Sequence, residues 1–279
     1  MATAPNDIAP RVSPGPSTVS GGDKPGTALL TGAASGIGLA IADKLLSLGW
    51  NVHVCDISDR AVSDFRQSHP AASATMADVA DPASAARVVQ ELMDSYGRLD
   101  LLVNNAGVAG MTALVEDVDI DDWRRTIDIN INSAFYFIKS TVPHLVKSPK
   151  GSIVNIASTA ALFGYPQRAA YAASKWALIG MTKTLAMELG PKGVRVNAIC
   201  PGSVEGPRID GVIERDAARR GISAEEVRRV YQSQVSMRRF VRGKDIANMC
   251  AFLASDEAAL VSGQIIAVDG HTETLNFPD

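Results

Sequence analysis

The sequence predicts an α/β protein built on one open, doubly wound parallel sheet of about seven strands, with helices on both faces. Short apolar strands alternate with longer helical patterns from residue 27 to residue 270, the pattern of repeated right-handed strand–helix–strand units. Several strands are continuous apolar runs, such as Leu101-Leu102-Val103, as expected where helices cover both faces of a sheet. The chain has 279 residues, of which 46% are apolar and 20% charged, enough for one large core.

The strands are expected at Thr27–Thr31, Asn51–Asp56, Ala74–Ala77, Leu99–Asn104, Ser152–Ala157, Arg195–Cys200 and Gln264–Asp269. Ile37, Ile41, Leu45 and Leu48 recur at helical spacing, and Gly49 ends that pattern. Asp81-Pro82 places an N-cap before a proline at the first helical position, opening a helix to about Tyr96. Asp121-Asp122-Trp123 opens another, and the stretch to Val146 is long enough for about seven turns. Residues 1–25 carry Pro5, Pro10, Pro14, Pro16 and Pro25 among Ser, Thr and Gly, too little apolar surface to offset ordering, and read as a flexible tail. One domain then covers residues 26–279, with a charged, helix-rich insertion at 203–242.

Composition excludes several classes. The net charge of −3 offers no basic surface for nucleic acid, and no apolar run reaches the ~20 residues a membrane-spanning helix needs. Cys55, Cys200 and Cys250 are far apart and lack metal-ligand spacing, so they read as reduced core thiols in a cytoplasmic protein without a metal. The tail lacks the apolar stretch of a secretory signal.

The first strand runs directly into Thr31-Gly32-Ala33-Ala34-Ser35-Gly36-Ile37-Gly38, ahead of a helix. Glycines there permit a tight turn and let backbone N–H groups approach a pyrophosphate at the positive helix N-terminus. The spacing is G-x-x-x-G-x-G rather than the G-x-G-x-x-G fingerprint, so position carries the signal. The second strand ends at Asp56, 24 positions after Gly32, where a carboxylate accepts hydrogen bonds from both hydroxyls of an adenosine ribose and repels a 2′-phosphate. Ser35 supplies no cation for that phosphate, so NAD(H) is expected rather than NADP(H). Asp78-Val79 after the third strand would meet the adenine edge, and Asn104-Asn105-Ala106-Gly107 after the fourth lets the backbone pass close to a ribose.

Tyr171 and Lys175 are four apart on a helical stretch and share a face. A neighbouring ammonium favours the phenolate and lowers a tyrosine pKa from its usual ~10, which suits proton exchange with an alcohol or carbonyl.

From Thr27 to Gly270 the chain resembles the short-chain dehydrogenase/reductase family, in its form with a Rossmann-type core. The matching elements fall in family order: the Thr31–Gly38 turn, Asp78, Asn104–Gly107, Asn130, Ser158, Tyr171-Ala-Ala-Ser-Lys175 and Pro201-Gly202. Asn130 lies 28 positions before Ser158, and Ser158 lies 13 before Tyr171, both spacings typical of the family. The resemblance implies a tetrad in which Tyr171 exchanges the proton at the substrate oxygen and Ser158 hydrogen-bonds that oxygen. Lys175 holds the nicotinamide ribose and lowers the tyrosine pKa, and Asn130 anchors a water that relays protons from Lys175. It also implies a cofactor site made by Gly32, Ser35, Gly36, Ile37, Gly38, Asp56, Asp78, Val79, Asn105, Ala106, Gly107, Tyr171, Lys175, Pro201, Gly202 and Val204.

The chain departs from the family in three places. Many members have a threonine shortly after the Pro-Gly pair; here Ser203-Val204-Glu205-Gly206-Pro207 follows, so the carboxamide contact is expected from the backbone near Val204. Glu205 either points into the pocket or caps the loop. The usual Asp-Gly-Gly ending is Asp269-Gly270-His271, and His271 reads as a surface histidine near a subunit contact rather than a substrate contact. The insertion interleaves Arg208, Arg215, Arg219, Arg220, Arg228 and Arg229 with acids, which reads first as a solvated amphipathic helix pair. Arg208 is also a candidate for recognising an acid group on the substrate.

The expected activity is hydride transfer between NAD(H) and a secondary alcohol or ketone, including polyols, sugars and hydroxy acids. The alternatives are an NADPH-dependent 3-oxoacyl reductase, opposed by Asp56, and a catalytically silent dinucleotide-binding regulator, opposed by the complete tetrad. An enoyl reductase usually spaces its tyrosine and lysine more widely. The resemblance implies a homotetramer, or a homodimer, with a small-molecule alcohol or carbonyl substrate.

Overall fold

The computed structural model describes residues 26–275, so the Pro-rich segment 1–25 lies outside the described residues. The strands are β1 (Thr27–Thr31), β2 (Asn51–Asp56), β3 (Ser73–Met76), β4 (Leu101–Asn104), β5 (Ser152–Ile156), β6 (Arg195–Pro201) and β7 (Ile265–Val268). They pair in parallel throughout, in the order β3-β2-β1-β4-β5-β6-β7. Strands β1, β4 and β5 are buried along their whole length, which is why they read as unbroken apolar runs.

Alternation along each strand supplies two cores. Ala28, Leu30, Leu101 and Val103 face one side, beneath helices α1 (Gly36–Ser47) and α9 (Gly243–Ala254). Leu29 and Leu102 face the other, packed with Val88 and Leu92 of α3 (Pro82–Tyr96) and Phe137 of α5 (Ser133–Leu145). The chain winds outward from β1 through β2 to β3, then crosses back to β4 on the far side of β1. That reversal opens a crevice beyond the carboxyl ends of β1 and β4, the usual ligand position in such a sheet.

Helix α2 (Asp59–Ser68) was not among the sequence expectations; Ser58 caps it by accepting from Ala61 N at 3.2 Å, and it buries Val62 and Phe65. The long helix expected from Asp121 to Val146 is two helices, α4 (Ile120–Ile127) and α5, joined by a π-type turn at Asp128–Asn132. In that turn Ser133 N donates to Asp128 O, five residues back. Helix α6 (Ala169–Leu189) follows β5, and the insertion holds α7 (Pro207–Arg220) and α8 (Ala224–Ser233). These two close on a small cluster of their own: Ile213, Ala217, Val227, Tyr231 and Phe240. On β2, next to the edge strand β3, His53 is buried with its ring nitrogens 2.7 Å from Ser73 Oγ and 3.0 Å from Thr75 Oγ1. Burial pulls its pKa down to about 4.

Candidate active site

The turn after β1 is held from below by β4. Thr31 Oγ1 accepts from both Asn105 N and Ala106 N at 3.1 Å, and Asn105 Nδ2 donates to Thr31 O (3.0 Å) and Gly32 O (2.7 Å). This close approach requires glycines. A Cβ on Gly32, whose φ is +57°, would lie 2.8 Å from Ala106 Cα, and one on Gly38 would lie 2.5 Å from Ala33 Cα. Gly36 (φ +58°) faces open space, and Ser35, the N-cap of α1, makes no side-chain cap. The first turn of α1 contains no acid. Its N–H groups are thus left for an external anion, and the residues present fit a dinucleotide pyrophosphate. Ile37 is half-buried against the core beneath α1.

Asp56 closes the rim of this cradle. One carboxylate oxygen accepts from Ala34 N at 3.2 Å and the other from Ser58 N at 3.1 Å, so the side chain is fixed at the carboxyl end of β2 beside the turn. Asp78 accepts from Ala80 N at 2.9 Å, and Val79 is buried with the α3 face of the core. Pro201 ends β6; Gly202 N donates to Val268 O at 3.1 Å, and a Cβ at Gly202 would lie 2.9 Å from Asp269 Cβ. Val204 bridges to Val241, and Glu205 N donates to Val241 O at 2.8 Å while the Glu205 side chain is exposed.

The proposed reactive groups converge above β4 and β5. Ser158 follows β5 and accepts from Ala160 N at 3.1 Å. Lys175 is buried; its Nζ donates to Ile156 O at 2.9 Å and lies 5.8 Å from the Tyr171 ring centroid. Burial pushes the Tyr171 phenol upward. The Lys175 ammonium, the Arg208 charge, a hydrogen bond with Ser158 and the Arg168 charge outweigh it, and the group ends below its ordinary value. Burial also dominates at Lys175 and holds that ammonium below the usual lysine range, against the pull of Tyr171.

Asn130 sits in the π-type turn with both N–H groups of its side-chain amide engaged and its oxygen accepting one bond. Oδ1 accepts from Val108 N at 2.7 Å, and Nδ2 donates to Val108 O and Ser174 Oγ, both at 3.0 Å. A Cβ on Gly107 would lie 3.2 Å from Asn130 Oδ1 and 3.4 Å from Lys175 Nζ, so the small residue lets the loop after β4 pass over the lysine. His271 is exposed and bonded through Nδ1 to Ser236 Oγ at 2.6 Å, away from this cluster in sequence and in its contacts.

Sequence reasoning missed three residues. Thr31 and Ser174 act through hydroxyls on backbone and amide groups, and Arg168, three positions before Tyr171, lies over the Tyr171 ring at 5.6 Å. The last sits at the N-cap of α6 in the loop before the helix, and no local pattern marked it.

Residues 32–271 match a family model described as enoyl-(acyl carrier protein) reductase. The chain is 38% identical over 253 residues to trans-4-hydroxycyclohexanecarboxylate dehydrogenase of Sinomonas cyclohexanicum, covering 87% of this chain and 91% of that one. Among solved structures, an NAD+-bound xylitol dehydrogenase superposes with a TM-score of 0.83 at 31% identity, covering 88% of this chain and 98% of its own. A variant of the actinorhodin polyketide ketoreductase with NADPH gives 0.85 at 33% identity, covering 91% and 98%. The chain belongs to the short-chain dehydrogenase/reductase family. Its sheet and helices are that family's Rossmann-type fold, and the relatives it matches include dehydrogenases and a ketoreductase, two of them in structures with NAD+ or NADPH.

Proposed function

We propose that this protein is an NAD(H)-dependent oxidoreductase that interconverts a secondary alcohol and its ketone, with Tyr171 as the general acid/base. The observation that carries the reading is Tyr171 itself, held below its ordinary pKa beside Lys175 and Ser158 at the carboxyl end of the sheet. Bound NAD supplies hydride acceptance from the alcohol carbon. In oxidation Tyr171 takes the hydroxyl proton as the carbonyl forms; in reduction it returns one. Ser158 donates to the same oxygen and steadies charge that develops there. Lys175 holds the nicotinamide ribose and keeps the phenolate accessible. The Asn130 amide is held by Val108 and Ser174, and Asn130 anchors the water that relays protons from Lys175.

Asp56 supports NAD over NADP, because a fixed carboxylate beside the turn repels a 2′-phosphate. The ketoreductase neighbour with NADPH favours a second reading, an NADPH-dependent 3-oxoacyl reductase. A homotetramer is supported by large apolar side chains exposed on α5 and α6, including Phe135, Trp176 and Met187. A reducing cytoplasm is supported by three buried free thiols, which burial keeps protonated. No helix among the described residues is long and apolar enough to cross a membrane.

The test is cofactor reduction followed by absorbance, with NAD and NADP in parallel across secondary alcohols, polyols, sugars and hydroxy acids. Turnover with NAD that disappears in Tyr171→Phe is expected. A marked NADP preference overturns the cofactor reading. Tight cofactor binding without turnover in either direction points to the silent regulator. Oxidation slows as pH falls through the Tyr171 pKa, and Lys175→Met moves that inflection upward by removing the main group that lowers it.

A further inference from the structure

Arg168 is a buried cation with no counter-ion among the described residues. It ends the loop between Ser158 and α6, is only 6% exposed, and its guanidinium lies between two aromatic rings, 5.7 Å from Tyr165 and 5.6 Å from Tyr171. Nη1 donates to Thr112 Oγ1, and Nε is buried without a hydrogen-bond partner. Burying an arginine this way carries a large desolvation cost that neither tyrosine ring offsets as a carboxylate would.

The surroundings hold that side chain in place. Gln167, immediately before it, has φ +61°, a conformation that non-glycine residues adopt only under constraint. Gln167 O accepts from Ala113 N at 3.1 Å, and its side-chain oxygen accepts from Arg219 of α7. The loop is therefore tied to the segment after β4 on one side and to the insertion on the other.

A second arginine, Arg208 in the first turn of α7, bears electrostatically on the same phenol. Arg219 and Arg220 pair with Asp216, and Arg228 pairs with Asp210, whereas Arg208 has no ion pair or hydrogen bond among the described residues. After burial and the mutual attraction of Tyr171 and Lys175, Arg208 is the next charge that both of them feel.

We propose that Arg168 and Arg208 form a clamp for a substrate carboxylate, so that the enzyme acts on hydroxy acids and the matching oxo acids rather than on neutral polyols or sugars. The proposal rests on the assignment of Tyr171 as acid/base and narrows its substrate. The carboxylate is a spectator: it accepts hydrogen bonds from the free Arg168 Nε–H and from the Arg208 fork, and orients the hydroxyl toward Tyr171. An exposed Arg208 alone would be a weak determinant; a buried arginine beside the reacting phenol makes the selection steep.

The test compares acids with their methyl esters, which keep the hydroxyl and lose the charge. 4-Hydroxycyclohexanecarboxylate and 3-hydroxybutanoate serve as probes with the NAD-loaded full chain, on the alkaline plateau of the pH profile. The wild type is expected to prefer acid over ester by about 100-fold in kcat/KM, and Arg168→Gln to erase that preference by slowing the acid alone. Arg168→Lys should restore part of the preference. Arg208→Ala, at an exposed position, should reduce it by about tenfold. Equal turnover of acid and ester by the wild type overturns the clamp while leaving the alcohol dehydrogenase reading intact. So does an equal fall on both by soluble Arg168→Gln together with an unchanged ratio in Arg208→Ala. Should Arg168→Gln fail to fold, the wild-type ratio and Arg208→Ala decide. Should no probe turn over, calorimetry with unreactive cyclohexanecarboxylate and its carboxamide separates the two ideas. Binding of the acid alone supports the clamp although the probes are wrong, and binding of neither overturns it.

Discussion

The cofactor cradle and the insertion at 203–242 are built in opposite ways. The cradle is made of backbone: Gly32 and Gly38 let main chains pass within contact distance, and Thr31, Asn105 and Asp56 fix them through N–H and C=O groups. The insertion is made of side chains: α7 and α8 share a five-residue apolar cluster and are dressed with paired arginines. A backbone cradle tolerates almost no added volume, while the charged helices tolerate change wherever a side chain is not engaged. A constant ligand suits the first construction and a variable one suits the second.

The largest expected break in this contrast is chemical. Tyr171→Phe should lower kcat by about 1000-fold with a far smaller effect on cofactor affinity, since it removes the proton path and leaves the Gly-rich cradle intact; equilibrium dialysis with NAD beside steady-state rates checks both halves. Next is a pH effect seated between β2 and β3. His53 has a folded pKa of about 4 against 6.5 in the unfolded chain, so the unfolded state binds the extra proton between those values. Stability is therefore full above about pH 6.5 and falls by roughly 3 kcal/mol as pH drops toward 4. Urea titrations across that window should show the loss, and His53→Gln should flatten it.

Two glycine substitutions then sharpen the comparison. At Gly38 an added methyl meets the Ala33 backbone at 2.5 Å and Asn105 Nδ2 at 2.6 Å, so Gly38→Ala should cost about 1–3 kcal/mol and weaken NAD binding. At Gly221, which ends α7 with φ +66° and nothing within 4 Å, only backbone strain remains. Gly221→Ala should cost about 1 kcal/mol and leave NAD affinity unchanged, as thermal melts with and without cofactor would show. Equal losses of NAD affinity in the two variants would erase the distinction between cradle and insertion.

The same contrast explains what could be read without coordinates. Strand runs, the Gly-rich turn and the order Asn130, Ser158, Tyr171, Lys175 are local patterns, and the seven strands lie within a few residues of their expected bounds. β3 starts at Ser73 rather than Ala74, and β4 at Leu101 rather than Leu99. The π-type turn left no periodic trace, because it accompanies a bond from Asn130 to Val108, 22 residues away. Helix α2 did leave a trace, a Ser58 cap ahead of Val62 and Phe65, yet its polar sequence hid the short apolar face. Arg168 looked like one loop cation among many; its burial and its empty Nε are properties of the assembled fold.

The three bonds of the Asn130 amide have a last consequence. One planar group fastens the loop after β4, the junction of α4 and α5, and the start of α6, segments that are 22 and 44 residues apart in the chain. None of its bonds reaches the 203–242 segment. Someone wishing to retarget this protein can therefore vary the outer faces of that segment and keep the fastener, provided Val204 and the tie from Arg219 to Gln167 are retained. An error at the single amide, by contrast, would unseat three parts of the machine at once.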